Sequence, residues 1–590
     1  MKKKLLHYGW KDPLYIILIL TGYVVLTILF TYPLITNFST AIPGHPNGDA
    51  STFLWNLWWT KYALLDLKTN PFYTDYIFYP KGVGLTFHSF AFLNGLISIP
   101  LQVLFGLVVA HNIITISSFV FSAFGAYLLL NYTTSDRLSS FIGGILFAFC
   151  PYKFGHLLGH YGLVSTQWIP LYILFLIRMT KEERSKILNG ILAGLSLLFT
   201  ALTEQYYLIF LGIFTILYLG YVFFTDKKTI MNRAFFKSSM GLSAIFIIGF
   251  LPILLFALMD VLRGDYGKVP GAAGGGRYVA DLLGLFTPSV LHPILGKYAW
   301  MVSKHFKGNV SEWTVFLGYT VVFFTLFAIR KFYSKDSQVR FWTLSFIVFL
   351  IFSLGPFPRI LGIRLPIPLP FLLVRYIPVL NNLRVPSRFN ILVMLSCAVL
   401  FAFSLRFVFC KLKKTWIKSL AAIMVIGSIS FEYLAIPFPM FNTERPSIYE
   451  RIGGDKEEGT ILEIPLGWGD GFKRLGVMEG DFMYYQTIHQ KRIFGGYIGR
   501  FPDNRIVYYR NLPIVKDIIT LEEQNGTQPP SVTEKESAKA FVTSFKVRYI
   551  TVRQPFFNSP VHKYILEVFP VDRIYEDRNM IVYRTNVVSR

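Results

Sequence analysis

A succession of apolar runs of near-bilayer length, divided by short basic connectors, limits this chain more than any other feature. A bilayer core of about 30 Å is crossed by a helix of about 20 residues, because a helix satisfies its own backbone hydrogen bonds where no water can. Such runs fall near 14–34, 111–131, 138–151, 166–178, 187–203, 206–224, 238–259, 313–330, 341–356, 388–409 and 418–436. With 53% hydrophobic and 17% aromatic residues, the 590-residue chain reads as an α-helical polytopic membrane protein with about eleven transmembrane helices. The opening Met1-Lys2-Lys3-Lys4 resembles a signal-peptide start, but the run behind it is long and lacks a small-residue cleavage site. It is read as an uncleaved first span.

The formal charge of +24 is uneven: residues 437–590 hold 21 basic and 19 acidic residues, and the remainder holds 37 against 15. The excess lies in short clusters between apolar runs, which is the positive-inside pattern and argues against a nucleic-acid groove. These clusters are Lys2/Lys3/Lys4/Lys11, Arg178/Lys181/Arg184/Lys186, Lys227/Lys228/Arg233/Lys237, Arg330/Lys331/Lys335/Arg340 and Lys411/Lys413/Lys414/Lys418. All five fall on the cytoplasmic side only if the apolar run 90–109, broken by Asn94, Gly95 and Pro100, lies at the interface and does not cross. That topology sends outward residues 35–110, 151–165, 260–312 and 356–387, and everything after about residue 437.

Two domains follow: a multi-span domain over 1–436, with 35–110 as its first outer loop, and a small extracytoplasmic α+β domain over 437–590. In the latter, 461–465, 547–552 and 580–584 read as strands, and 535–545 and 560–569 as helices. No phosphate-loop pattern occurs, and Gly271-Ala-Ala-Gly-Gly-Gly276 reads as a flexible loop, so nucleotide-driven transport is disfavoured. Cys150, Cys397 and Cys410 lie in or beside apolar runs and give no disulfide framework. Gln486-Thr-Ile-His489 and Gly495-Gly-Tyr-Ile-Gly-Arg500 are open to a sugar contact or to turns and packing.

Ionisable residues at helix mouths are costly and are therefore functional candidates: His45, Asp49, His156, His160, Glu204, Asp265, Glu312, Arg384 and Arg388. Asp49 follows the turn-rich Pro43-Gly44-His45-Pro46-Asn47-Gly48 and precedes Phe53, Trp55, Trp58 and Trp59, an aromatic pattern suited to a lipid headgroup boundary. Its plain alternative is a helix cap. His156 and His160 stand four apart, on one face if helical, for a metal or a substrate; with no third donor beside them, no metal ligand set is assigned. No cofactor is fixed, and a divalent metal stays open. Glu204 needs a partner or an aqueous cavity, and Glu312 either acts in the site or caps a span. Arg384 and Arg388, four apart beside Pro386, suit bidentate recognition of a phosphate, with headgroup snorkelling as the alternative. A lipid phosphate and a carboxylate base on one face favour transfer of a sugar from lipid phosphate to a hydroxyl. Phosphate leaves without a general acid, so one carboxylate suffices.

These features resemble the GT-C superfamily of integral-membrane glycosyltransferases, including protein mannosyltransferases and the lipid A aminoarabinose transferase. The likeness lies in an acid in the first outer loop, an interfacial helix after it, about eleven spans and an outer C-terminal domain. Asn56-Leu-Trp-Trp59, Tyr76-Ile-Phe-Tyr-Pro-Lys81 and Arg384-Val-Pro-Ser-Arg388-Phe are similar to phrases of bacterial members without a defined substrate. The resemblance implies that Asp49 is the catalytic base, that Arg384, Arg388, His156, His160 and Glu204 bind substrate, and that the donor is a polyprenyl-phosphate sugar. Many members have two adjacent acids in the first loop, whereas Gly48 and Ala50 flank a single Asp here. The implied partners are that donor, membrane lipid and an extracytoplasmic acceptor (a cell-envelope glycan, lipid or protein) at the plasma membrane, with no nucleic acid. A lipid-linked glycan transporter or flippase and a noncatalytic envelope-assembly protein are the alternatives; a transporter places its ionisable residues near the midplane on broken helices.

Overall fold

A computed structural model describes residues 13–586 apart from 46–47, 183–184, 264–275, 378–379, 381–382, 472, 479–480 and 524–534. The Lys2/Lys3/Lys4/Lys11 cluster, Arg184, Asp265 and nearly all of the glycine run at 271–276 lie outside the described residues. Each of the eleven apolar runs holds a helix. Among the described residues, eight helical segments are long and apolar enough to cross a membrane: Pro13–Phe30, Leu107–Thr134, Arg137–Leu157, Lys186–Thr203, Gln205–Thr225, Arg233–Leu262, Pro386–Lys411 and Thr415–Glu432. The other three runs hold Trp168–Lys181, Tyr319–Phe332 and Ser337–Ser353, of 14, 14 and 17 residues. The protein is therefore a multi-pass membrane protein. Phe92–Phe105 is a separate helix of 14 residues that stops at Gly106, where φ is 82°. At about 1.5 Å per residue it falls short of a hydrocarbon core.

Local chemistry sets the helix ends. Asp136 accepts the Ser139 N–H at 2.9 Å to start Arg137–Ala148, and Asp336 accepts from Gln338 and Val339 to start Ser337–Ser353. Arg178 and Lys181 close Trp168–Lys181, and Arg330 and Lys331 close Tyr319–Phe332, where cations oppose the helix dipole.

The described chain forms two compact units: Met1–Gly44 with Val109–Leu251 and Val269–Met440, and His45–Val108 with Pro252–Lys268 and Phe441–Arg590. The boundary read at 436/437 falls beside Met440, and the second unit also contains 45–108 of the first outer loop. In the first unit, Asn390–Lys411 is the central helix, covered by protein on nearly every side. Small residues bring two other helices, Lys186–Thr203 and Arg233–Leu262, together: a Cβ on Gly190 would lie 2.3 Å from the Ser238 carbonyl oxygen, and one on Gly194 2.7 Å from that of Leu242. Large apolar side chains such as Phe224, Ile216 and Ile248 remain exposed on outer helices, as a lipid-facing surface requires.

The second unit contains a five-stranded mixed sheet in the order 492–493, 460–464, 547–553, 580–585, 571–576. Thr460–Ile464 pairs in parallel with Val547–Arg553, which pairs antiparallel with Met580–Thr585. These strands, with Lys535–Phe545 and Pro560–Val568, make up the α+β part expected from the sequence. The first-loop residues are built into the same unit: Phe78 N–H donates to the Gly495 carbonyl at 2.9 Å, and Ile493 N–H to that of Tyr76 at 2.9 Å. Ala50–Lys61 does not present an aromatic face to headgroups. Phe53, Trp55, Trp58 and Trp59 are all buried, and every residue from Ala50 to Thr60 is covered.

Gln486 is a packing residue. Its carbonyl accepts the Trp55 indole N–H at 2.7 Å, and its amide donates to the carbonyls of Tyr76 and Lys491 at 2.6 and 2.9 Å. Gly496 is needed for close approach, since a Cβ would meet the Phe78 ring at 2.6 Å. Gln486→Leu strands the Trp55 donor and these carbonyls, and is expected to cost about 1–3 kcal/mol. Thermal unfolding followed by tryptophan fluorescence reads it, and an unchanged Tm contradicts the assignment.

Candidate functional site

The site in the first unit begins with a proline. Pro386 opens a single 3-10 turn, Pro386–Phe389, that leads into Asn390–Lys411 and fixes Ser387 and Arg388 at the mouth of the central helix. Facing them is the short turn Val310–Trp313, capped by Asn309, whose side-chain oxygen accepts the Glu312 N–H at 3.1 Å. Glu312 is thereby relieved of capping and its carboxylate points inward, 3% exposed. Arg388 donates Nε and Nη2 to Oε1 at 3.0 and 2.9 Å, and Ser387 donates its hydroxyl to Oε2 at 2.6 Å. The guanidinium also lies 4.7 Å from the centre of the Tyr206 ring. Burial pushes the Glu312 carboxyl up, but Arg388 above all outweighs it and holds the group at about 2.

The third wall is Pro151–Leu157. Gly155 lets it approach the 310–313 turn, since a Cβ there would lie 2.8 Å from that of Thr314. His156 is fully buried. Its Nδ1 is 3.3 Å from Nδ1 of His160 and its Nε2 is 4.0 Å from Oε2 of Glu312. That Nε2 has no hydrogen-bond partner among the described residues. Glu204 ends Lys186–Thr203 and caps Gln205–Thr225 by accepting the Tyr206 N–H at 3.2 Å. Burial raises its pKa, with Arg388 opposing. Gly162 makes room for it, as a Cβ would lie 2.8 Å from its Oε2.

The structure therefore brings His156, His160, Glu204, Glu312 and Arg388 into one unit and supplies the third donor that the sequence did not place beside the histidines. Donor atoms of His156, His160 and Glu312 lie within 4.8 Å of one another. A divalent ion about 2.0–2.2 Å from each of two ligands needs them no more than about 4 Å apart, which the His156–Glu312 separation meets. An unsatisfied imidazole nitrogen opposite a carboxylate suits a cation at the His156–Glu312 pair, whereas the three donors together spread over as much as 4.8 Å, so His160 joins the set only if it shifts. Arg384 is half-buried just before the turn.

Asp49 belongs to the second unit. It holds the N-cap position of Ala50–Lys61, yet its side chain makes no capping hydrogen bond. His88, which feels its charge, is kept by burial at about 4 and is therefore neutral near pH 7. Ser387 and Tyr206 were missed in the sequence: a serine beside an arginine and a tyrosine after a glutamate have no pattern of their own. Lys153, three residues before His156, is also fully buried and donates to Ser122 Oγ at 3.0 Å.

The family described as a domain of unknown function (DUF6311) matches residues 19–431. No curated protein matches the chain. Among solved structures, the arabinofuranosyltransferase AftD from Mycobacteria is similar with a TM-score of 0.57 at 12% identity, over 97% of this chain and 41% of that one. ArnT from Cupriavidus metallidurans, bound to undecaprenyl phosphate, gives 0.50 at 9% identity over 97% and 98%. The oligosaccharyltransferase AglB from Archaeoglobus fulgidus, in complex with an inhibitory peptide and a dolichol-phosphate, gives 0.48 at 10% over 98% and 75%. This chain thus spans less than half of AftD. At these identities the likeness is one of fold, the GT-C fold.

Removing the carboxylate charge leaves Arg388 buried without its counter-ion, so Glu312→Gln is expected to destabilise the first unit by about 3–5 kcal/mol, and Arg388→Met in the same chain to recover most of it. The folded carboxyl binds its proton less tightly than the unfolded one. The Glu312 contribution is therefore complete above the ordinary value of 4.5 and fades as pH falls towards about 2. Denaturant unfolding in detergent from pH 6 down to 3 measures both, and equal losses in the single and double variants contradict the pairing.

Proposed function

The chain belongs to the DUF6311 family, and from the cluster built into its fold we propose that it is a membrane glycosyltransferase. It moves a sugar, hexosyl or pentosyl, from a polyprenyl-phosphate donor to a hydroxyl of an extracytoplasmic acceptor. The observation that carries this reading is the convergence of Glu312, Arg388, His156 and His160 from three segments read as outer loops or loop ends. The names of similar folds support it: ArnT was solved with undecaprenyl phosphate and AftD is an arabinofuranosyltransferase. A transporter needs its ionisable groups on broken helices at the midplane, whereas these lie on turns and helix ends.

The reaction is an inverting displacement at the plasma membrane, with the second unit on the extracytoplasmic side. Asp49 takes the acceptor hydroxyl proton as the oxygen bonds to the anomeric carbon. The bond from that carbon to the phosphate oxygen breaks, and polyprenyl phosphate departs with the electron pair. Arg384, with the Nη1 that Arg388 does not spend on Glu312, holds the phosphate, while Glu204 contacts the substrate. His156, His160 and Glu312 would hold a divalent cation, which supplies positive charge to the departing phosphate.

Purified protein supplied with radiolabelled polyprenyl-phosphate sugars is the test. Asp49→Asn is expected to abolish turnover while sparing donor binding, because it removes proton acceptance and keeps size. Arg384→Ala is expected to weaken donor binding by about 1.5–3 kcal/mol, and chelation to stop turnover until a divalent ion is restored. Wild-type rates in Asp49→Asn contradict the assignment of the base.

A further inference from the structure

The second unit contains a cavity of about 660 Å³ that the cluster described above does not use. Its wall is assembled from three stretches: the first outer loop, the end of the Arg233–Leu262 helix, and the segment that opens Asp503–Asn511. Phe72 and Phe256 supply aromatic faces, stacked on each other at 5.7 Å with 25° between the rings. Phe90 and Phe92 pack around Phe72 at 5.7 and 4.7 Å and hold it in place.

The polar lining is built as well. Asp260 lines the cavity although it is only 5% exposed, and its Oδ2 accepts the Thr86 hydroxyl at 2.9 Å. Gly84 is what admits that carboxylate, because a Cβ there would lie 2.3 Å from Oδ2. Arg505, oriented by an Nε bond to the Gly82 carbonyl at 3.2 Å, and Arg263 at the end of the long helix add two cations, and Asn504 adds an amide.

A cavity of this size takes a ligand of a few rings. The ligand must meet apolar ring faces on one part of its surface and, on another, one carboxylate acceptor, an amide and two guanidinium groups. A pyranose has this division: its axial C–H groups form an apolar patch that packs on an aromatic ring, and its hydroxyls donate to carboxylates and amides. Two arginines against one aspartate leave a positive balance, which favours a saccharide carrying a carboxylate or phosphate over a neutral one.

We propose that this cavity is a binding site for an anionic saccharide of two or three rings. Its biological sense rests on the transferase reading, in which the saccharide belongs to the acceptor glycan. Its test does not, because binding is read without donor and without turnover.

The full chain in detergent or nanodiscs is titrated calorimetrically with trigalacturonate and, separately, with maltotriose. Saturable binding of trigalacturonate that weakens with salt is expected, at least about tenfold tighter than maltotriose. Arg263→Gln and Asp260→Asn are each expected to weaken it about tenfold or more. The same titration with phosphatidylglycerol bicelles covers the lipid alternative. If Arg263→Gln weakens bicelle binding and leaves trigalacturonate unaffected, the cavity is a headgroup site and the proposal is overturned. Absence of trigalacturonate binding to the wild type, or equal binding by all variants, also overturns it. Either failure leaves the effect of Asp49→Asn on turnover as a separate result.

Discussion

The buried ion pair between Glu312 and Arg388 is the constraint on which the helical unit depends. A carboxylate and a guanidinium taken out of water cost several kcal/mol each, and only a close, doubly hydrogen-bonded pair offsets that. Here two guanidinium N–H groups and the Ser387 hydroxyl converge on one carboxylate. The pair fixes the mouth of the central helix to the 310–313 turn. Gly155 then sets the distance of the histidine segment from that turn, and Gly162 makes room for Glu204. Replacing the pair with apolar residues would satisfy stability at least as well. Its presence beside an unsatisfied imidazole nitrogen is what points from packing to chemistry.

Much of this architecture was legible because bilayer physics writes it into the sequence. Spans are long apolar runs, basic clusters stand between several of them, and the C-terminal strands alternate or run apolar over five to seven residues. His156, His160, Glu204 and Arg388 stood out as candidates for the same reason, since an ionisable residue at a helix mouth is costly wherever it stands. What the sequence could not convey was which of these meet. Glu312 read equally well as a cap until the structure gave that task to Asn309. The metal reading of the two histidines lacked a third donor because that donor comes from a distant segment and only folding brings it near.

Trp55, Trp58 and Trp59 have the composition of a headgroup belt, and composition alone cannot tell lipid from protein as the apolar neighbour. The deciding residue was Gln486, whose two amide ends match the Trp55 indole and the Tyr76 carbonyl. A loop and a C-terminal domain separated by most of the chain form one unit, and no local pattern announces such pairing. Asp49 is presented at the start of that covered helix without serving as its side-chain cap, which separates it from an ordinary helix-starting aspartate.

We propose that the Glu312–Arg388–histidine cluster receives the phosphate of a lipid-linked donor. A cryo-electron microscopy structure of the full chain with polyprenyl phosphate and Mn²⁺ tests it most directly. Phosphate density is expected against Arg384 and Nη1 of Arg388, and ion density beside His156 and Glu312. Phosphate density away from both arginines, with the Glu312–Arg388 pair undisturbed and no ion beside His156, would contradict it.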